Sequence, residues 1–188
     1  GDISEINDLE NAKYDSEKTV SEKVTSLISV IGENINPRRY KKIEITNGAL
    51  VSYTHNKMAD NLGSIGVVLA IESSFEGKDE LKALGHQIAM HIAASNPIAI
   101  EAKDIKKEIV DKELEIIKAE IVNSGKPAEM AERISKGKIS KFLNDNSLLN
   151  QIWIMDTKKT VRDILKENSD VSEIKIVDYI RYKVGEGI

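Results

Sequence analysis

The sequence predicts an α+β fold: small antiparallel sheets with covering helices, plus a projecting helical hairpin. Three observations lead there. Ile65–Ile71 (IGVVLAI) is an apolar run of strand length, with little room for water on either face. Beyond it, Leu81, Leu84, Ile88 and Ile92 recur at near-helical spacing until Ser95-Asn96-Pro97, where Pro disfavours a helical residue before it. Further on, Asp104–Asn123 carries a long apolar stripe on a charged body, and Ser124-Gly125-Lys126-Pro127 joins it to a second helical stretch.

The elements follow in chain order. Ile3, Ile6 and Leu9 make a weak helical stripe. Glu17–Ile31 is stronger: Val20, Val24, Leu27, Ile28 and Ile31 share one face, and Gly32 falls where a left-handed cap is wanted. Glu33 to Arg39 is a polar link, non-helical just before Pro37. Tyr40–Ile45 (YKKIEI) alternates and reads as an edge strand whose lysines discourage stray pairing. Asn47-Gly48 signals a tight turn, and Leu50–His55 is the next strand. Asn56–Ser64 reads as a loop, so Leu50–His55 and Ile65–Ile71 pair as an antiparallel hairpin. Ser73–Gly77 is a turn, after which Asp79 and Glu80 suit the positive start of a helix. Ala89, Ala93 and Ala94 keep that helix thin, so a backbone can pack close.

Past Pro97, Ile105, Ile109, Val110, Leu114, Ile117 and Ile121 form the stripe of the long helix. Pro127 suits the first turn of its partner, whose apolar side is Met130, Ile134, Ile139 and Phe142. Ile152–Met155 reads as short and extended. Thr160 caps a short helix through Leu165, with Asp163 at the capping-box position. Ile174–Val184 (IKIVDYIRYKV) alternates and closes the sheet beside the hairpin. A helix leading into Tyr40–Ile45 echoes the later helices leading into Ile174–Val184, which suggests two related α+β halves.

The totals exclude several function classes. A chain of 188 residues can bury roughly 70% of its unfolded surface without staples. It has no cysteine, which excludes disulfides, thiolate metal sites and a cysteine nucleophile, and accords with a cytoplasmic setting. No apolar run approaches the roughly 18 residues of a membrane span, and GDISEINDLE lacks a signal-peptide core. The chain opens on Gly1 rather than Met, as a processed tag or a cut from a longer protein would. Net charge is −4, from 27 basic and 31 acidic residues with interspersed signs, and aromatics are 4%. Nucleic acid is therefore not expected as a direct ligand, since phosphate binding needs concentrated positive charge and base stacking needs aromatics.

Residues for bond chemistry are scarce. His86 and His91 are five apart, about 140° round a helix, so they share no face for a metal. His91 falls on the Leu84/Ile88 face and reads as a packed core histidine with one satisfied nitrogen. His55 ends a strand next to a loop, a position for packing or for contact. Arg38-Arg39 suits gripping a carboxylate or phosphate, or tying the link to the body. Gly63-Ser64-Ile65-Gly66 and Gly137-Lys138 lack phosphate-loop spacing. No activated nucleophile can be named, so neither an enzyme nor a cofactor is expected.

Several stretches together carry a family resemblance. They are Ile31-Gly32-Glu33-Asn34-Ile35 running into Arg38-Arg39; Ser52-Tyr53-Thr54-His55 followed by Ile65-Gly66-Val67-Val68; Met90-His91-Ile92-Ala93-Ala94 with Pro97; Ser124-Gly125-Lys126-Pro127 followed by Lys141-Phe142 and Leu148-Leu149-Asn150-Gln151; and Arg181-Tyr182-Lys183-Val184-Gly185-Glu186-Gly187. In that order, over nearly the whole chain, they resemble bacterial elongation factor Ts, the family of exchange factors for the GTPase elongation factor Tu. The resemblance implies a core of two α+β halves with a helical hairpin inserted in the second, which in some relatives mediates dimerisation. On that basis residues 1–46 are a remnant of the first half, 47–103 with 150–188 form the second, and 104–149 are the inserted hairpin. The positions matching Ile31, Gly32 and His55 lie near elongation factor Tu in the family. Departures accompany the likeness. The family's leading helical module and its Thr-Asp-Phe-Val-Ala segment have no counterpart here, Gln151-Ile152-Trp153 stands for the usual Gln-Pro-Phe, and Asn56–Ser64 is longer than in compact members.

The implied function is guanine-nucleotide exchange on elongation factor Tu in the cytoplasm, by holding the GTPase in a conformation that binds GDP badly. The alternative is a non-catalytic interaction module that dimerises through the hairpin at 104–149.

Overall fold

A strand whose amide groups face water gains little until a neighbour pairs with it, and pairing sets where the strands of this chain end. The computed structural model describes residues 5–74, 77–124, 128–169 and 172–187. Strand β1, Ala49–Ala59, pairs antiparallel with β2, Leu62–Ser73. The expected strands Leu50–His55 and Ile65–Ile71 lie inside this hairpin, but Asn56–Ser64 is not a loop. The ladder runs on through His55↔Ile65, Lys57↔Gly63 and Ala59↔Leu62, with an irregularity between Lys57 and Ala59. Asn56, Lys57, Asp60 and Asn61 suit a loop, yet they suit an exposed two-stranded ribbon equally well. Asn56 and Asn61 take positive φ (49° and 60°), which asparagine tolerates. Gly63 lets the strands approach, because a Cβ there would sit 2.5 Å from the His55 carbonyl oxygen.

Strand β3, Ile174–Lys183, pairs antiparallel with the other edge of β2, giving the order β1-β2-β3. The apolar run is thus the central strand. Helix α3, Lys78–Ser95, lies against β1 and β2 and buries Leu81, Leu84, Ile88 and Ile92 in one core with Val51, Val67, Leu69 and Ile71. Asp79 and Glu80 occupy its first turn, and Asn96, at φ 46°, closes it by donating its N–H to the Ile92 carbonyl. At Gly85 the helix lies close on the sheet: an added Cβ would be 2.7 Å from Val51 Cγ2 and 3.0 Å from Ile71 Cδ1. Of the turn expected at Ser73–Gly77, Ser73 belongs to β2, and residues 75–76 lie outside the described residues.

After Pro97 a 3₁₀ turn, Ala102–Asp104, precedes helix α4, Lys107–Asn123. The helix starts later than the Asp104 expected, because Asp104 is spent on a reciprocal cap with Glu101. Helix α5, Ala128–Asn146, packs on α4 and returns to that 3₁₀ turn, so the two run antiparallel, and a Lys138–Glu120 ion pair links them. Gly125 and Pro127 of the expected connector lie outside the described residues. Ile117 and Ile121 are buried, whereas Val122 stays 77% exposed. On either side of these two helices, Leu148 N–H donates to the Ala99 carbonyl (2.8 Å) and Ile98 N–H to the Asn146 carbonyl (3.0 Å).

The segment Ile152–Met155 is not extended as expected. Only Ile152 bridges, to Thr160, and Ile154-Met155 turn the chain back so that Trp153 N–H meets the Lys159 carbonyl at 2.8 Å. Trp153 is buried in the core at this reversal. Helix α6, Val161–Glu167, begins with the predicted box: Asp163 N–H donates to Thr160 Oγ1 (3.2 Å) and Thr160 N–H to Asp163 Oδ2 (2.9 Å).

Residues 1–44 and 45–188 form two compact units. In the first, α1, Ile6–Asn11, precedes α2, Val20–Ile31. Helix α2 starts after Glu17 because Asp15 Oδ1 accepts the N–H groups of Glu17 and Lys18, each at 2.8 Å, and holds them in a turn. Thr19 and Glu22 then cap it reciprocally. The edge strand expected at Tyr40–Ile45 does not form; those residues have no regular structure. Alternation makes a strand possible, but only a ladder makes it form, and no strand among the described residues pairs with this stretch. Without it, Asn47-Gly48 is a bend rather than a hairpin turn, with Gly48 at φ 124°.

Candidate functional site

Three residues were expected on a partner surface. Ile31 is the last residue of α2 and is 55% exposed. Gly32 takes φ 77° as the left-handed cap and donates its N–H to the Ile28 carbonyl at 2.8 Å. A Cβ built on Gly32 would meet nothing within 4 Å, so its backbone lies open. An apolar side chain and a bare peptide thus stand side by side at a helix end. Both belong to the unit of residues 1–44, and His55 to that of residues 45–188.

His55 is not at a strand end. It lies within β1, opposite Ile65, because the hairpin continues past it. Its side chain is exposed and held on one side: Nδ1 lies 3.0 Å from the Tyr53 hydroxyl. Residues two apart on a strand share a face, and the face of Tyr53 and His55 is the one α3 covers. Tyr53 sits opposite the buried Val67 and meets His86 of α3 edge-on, with ring centroids 5.5 Å apart at 86°. Strand periodicity joins Tyr53 to His55. Nothing in the local sequence joins either to His86, whose place depends on how α3 crosses the sheet.

His91 is the packed core histidine that the sequence indicates. It is fully buried, stacks on Trp153 with centroids 5.2 Å apart, and places Nε2 3.0 Å from Gln151 Oε1. An amide oxygen only accepts, so Nε2 carries the proton of a neutral ring. Gln151 in turn donates to the carbonyls of Ser95 (3.2 Å) and Asp145 (2.8 Å). Among the described residues Nδ1 has no partner. Burial pushes the His91 pKa below its ordinary value, and the Gln151 bond opposes that shift. This enclosed imidazole joins α3 to the end of α5 through Gln151.

Chemistry is otherwise thinly supplied. A cavity of about 360 Å3 is lined by Leu165 and Ile176 together with Arg162, Ser169 and Glu173. Among the described residues no three His, Asp or Glu side chains gather to hold a metal, and no helix is long and apolar enough to cross a membrane.

Comparison with known proteins places the chain in a family. The family model described as Elongation factor TS matches residues 1–186. The chain is similar to proteins named Elongation factor Ts from Erythrobacter litoralis (39% identical, covering 100% of this chain and 61% of the relative) and from Sphingopyxis alaskensis (40%, covering 99% and 61%). It is also 42% identical to the one from Methylobacterium radiotolerans, over 91% of this chain and 55% of the relative. The chain thus spans about 61% of the length of the first two of these relatives.

Proposed function

This chain belongs to the elongation factor Ts family, and from that premise we propose that it binds elongation factor Tu carrying GDP and promotes GDP release so that GTP can reload. The family match across residues 1–186 carries this reading. Exchange of this kind makes and breaks no covalent bond and needs no cofactor. The factor favours a GTPase conformation in which GDP fits badly, and the coupling is reciprocal: whatever factor it weakens GDP by, GDP weakens it by the same. Such work belongs to translation in the cytoplasm and requires no direct contact with nucleic acid, in keeping with a net charge of −4.

Ile31, Gly32 and His55 are the residues proposed to meet elongation factor Tu. The exposed Ile31 beside the open Gly32 backbone suits insertion into a partner's groove. In domain terms, 47–103 with 150–188 form the second α+β half of a family core, 104–149 are a hairpin inserted in it, and 1–46 belong to the first. The exposed side chains of Val122 and Met130 support a homodimer through that hairpin. Sedimentation of the chain with and without residues 104–149 tests this, and unchanged self-association on their removal rejects it.

The deciding measurement is release of fluorescent GDP from elongation factor Tu with this chain added. Acceleration is expected, and Ile31→Ala or His55→Ala should slow it about 5- to 30-fold, as for loss of an interface anchor. Wild-type rates in both variants would remove these residues from the site. Failure of nucleotide-free elongation factor Tu to bind the chain at all would reject the function.

A further inference from the structure

We propose that Tyr53 is a positioning residue for His55, and that together they present an outward Nε2–H donor to an acceptor oxygen of the partner. This rests on the reading of His55 given above and adds to it a residue and a chemistry. Three features of the second unit carry it. The Tyr53 hydroxyl lies 3.0 Å from Nδ1 of His55, while the His55 side chain is exposed. The Tyr53 ring is half-buried opposite Val67 and meets His86 edge-on at 5.5 Å, so it is more enclosed than the exposed His55. The backbone beneath them belongs to the β1–β2 ladder, closed by Gly63 against the His55 carbonyl.

The sense of the hydrogen bond follows from the two groups. A phenol is the better donor of the pair, and a neutral imidazole nitrogen the better acceptor, so Tyr53 Oη–H donates to Nδ1. The ring proton of neutral His55 is then on Nε2. If the ring takes up a second proton, it goes to Nδ1, which then donates to the Tyr53 oxygen while Nε2–H is unchanged. In both states the outer nitrogen is a donor, and the partner atom that suits it is a carbonyl or carboxylate oxygen. Fixing the ring before contact also reduces the rotamer freedom lost on binding.

The test is a double-mutant cycle on this chain, read as affinity for nucleotide-free elongation factor Tu. Tyr53→Phe keeps the ring that packs on His86 and removes only the hydroxyl. It should weaken binding about 3- to 10-fold, as expected for one hydrogen bond, and have no further effect in the His55→Ala background. An equal loss in both backgrounds would show that Tyr53 acts without His55 and would overturn the proposal, as would wild-type affinity in Tyr53→Phe. A partner-free arm separates this inference from the functional reading. In long-range 1H–15N spectra with the ring neutral, Nδ1 of His55 should be the unprotonated nitrogen and should move downfield in Tyr53→Phe. An Nδ1 signal indifferent to the hydroxyl overturns the positioning role even if exchange is confirmed. Wild-type affinity in His55→Ala alone removes His55 from the interface and takes this proposal with it.

Discussion

His91 is enclosed by α3, Trp153 and Gln151, with one ring nitrogen bonded and the other without a partner among the described residues. Protonating it would place an N–H at Nδ1 with nothing to receive it, and burial accordingly depresses its pKa. In the unfolded chain the ring titrates near its ordinary value of about 6.5. Below that pH the unfolded state binds a proton that the folded state refuses, so stability falls as pH drops from about 6.5 to the depressed folded value, and levels off below it. The urea midpoint should therefore fall between about pH 7.5 and pH 5, and His91→Gln should flatten that slope. An equal slope in the variant would assign the effect to other groups. The core character of His91 was legible in its helical phase with Leu84 and Ile88. Its partner was not, since Gln151 lies 60 residues away.

Helix α3 lies close on the sheet at Gly85. Exchanging a mid-helix glycine for alanine ordinarily stabilises by about 1 kcal/mol. Here the new methyl would face Val51 Cγ2 at 2.7 Å, and valine is stiff at χ1. Overpacking of this sort costs about 1–3 kcal/mol, so Gly85→Ala should lower the urea midpoint instead of raising it. A raised midpoint would mean that the helix can lift from the sheet at no cost. Apolar stripes located α3 and the body of α4, and a capping box located α6, because each signal acts within a few residues. Local pattern misjudged Tyr40–Ile45 and Asn56–Ser64 in opposite directions. The first alternates but has no ladder partner; the second is polar, yet it pairs.

Residues 1–44 and 45–188 form separate compact units, and the main apolar core lies within the second, from Ala49 to Ile176. None of the described residues of the first unit is buried. A fragment of residues 45–188 should therefore unfold cooperatively at the same urea midpoint as the full chain. A fragment 45–188 that fails to fold would show that the first unit supplies stability to the second. The family, the strand hairpin, the covering helix and the caps were all readable along the chain, because apolar spacing, capping boxes and motif order are local properties. Folding in space alone set the length of the hairpin, the loss of the strand at Tyr40–Ile45, the Trp153–His91–Gln151 joint and the contact of Tyr53 with His86. Each of these depends on a neighbour brought from elsewhere in the chain, and local preference cannot name that neighbour.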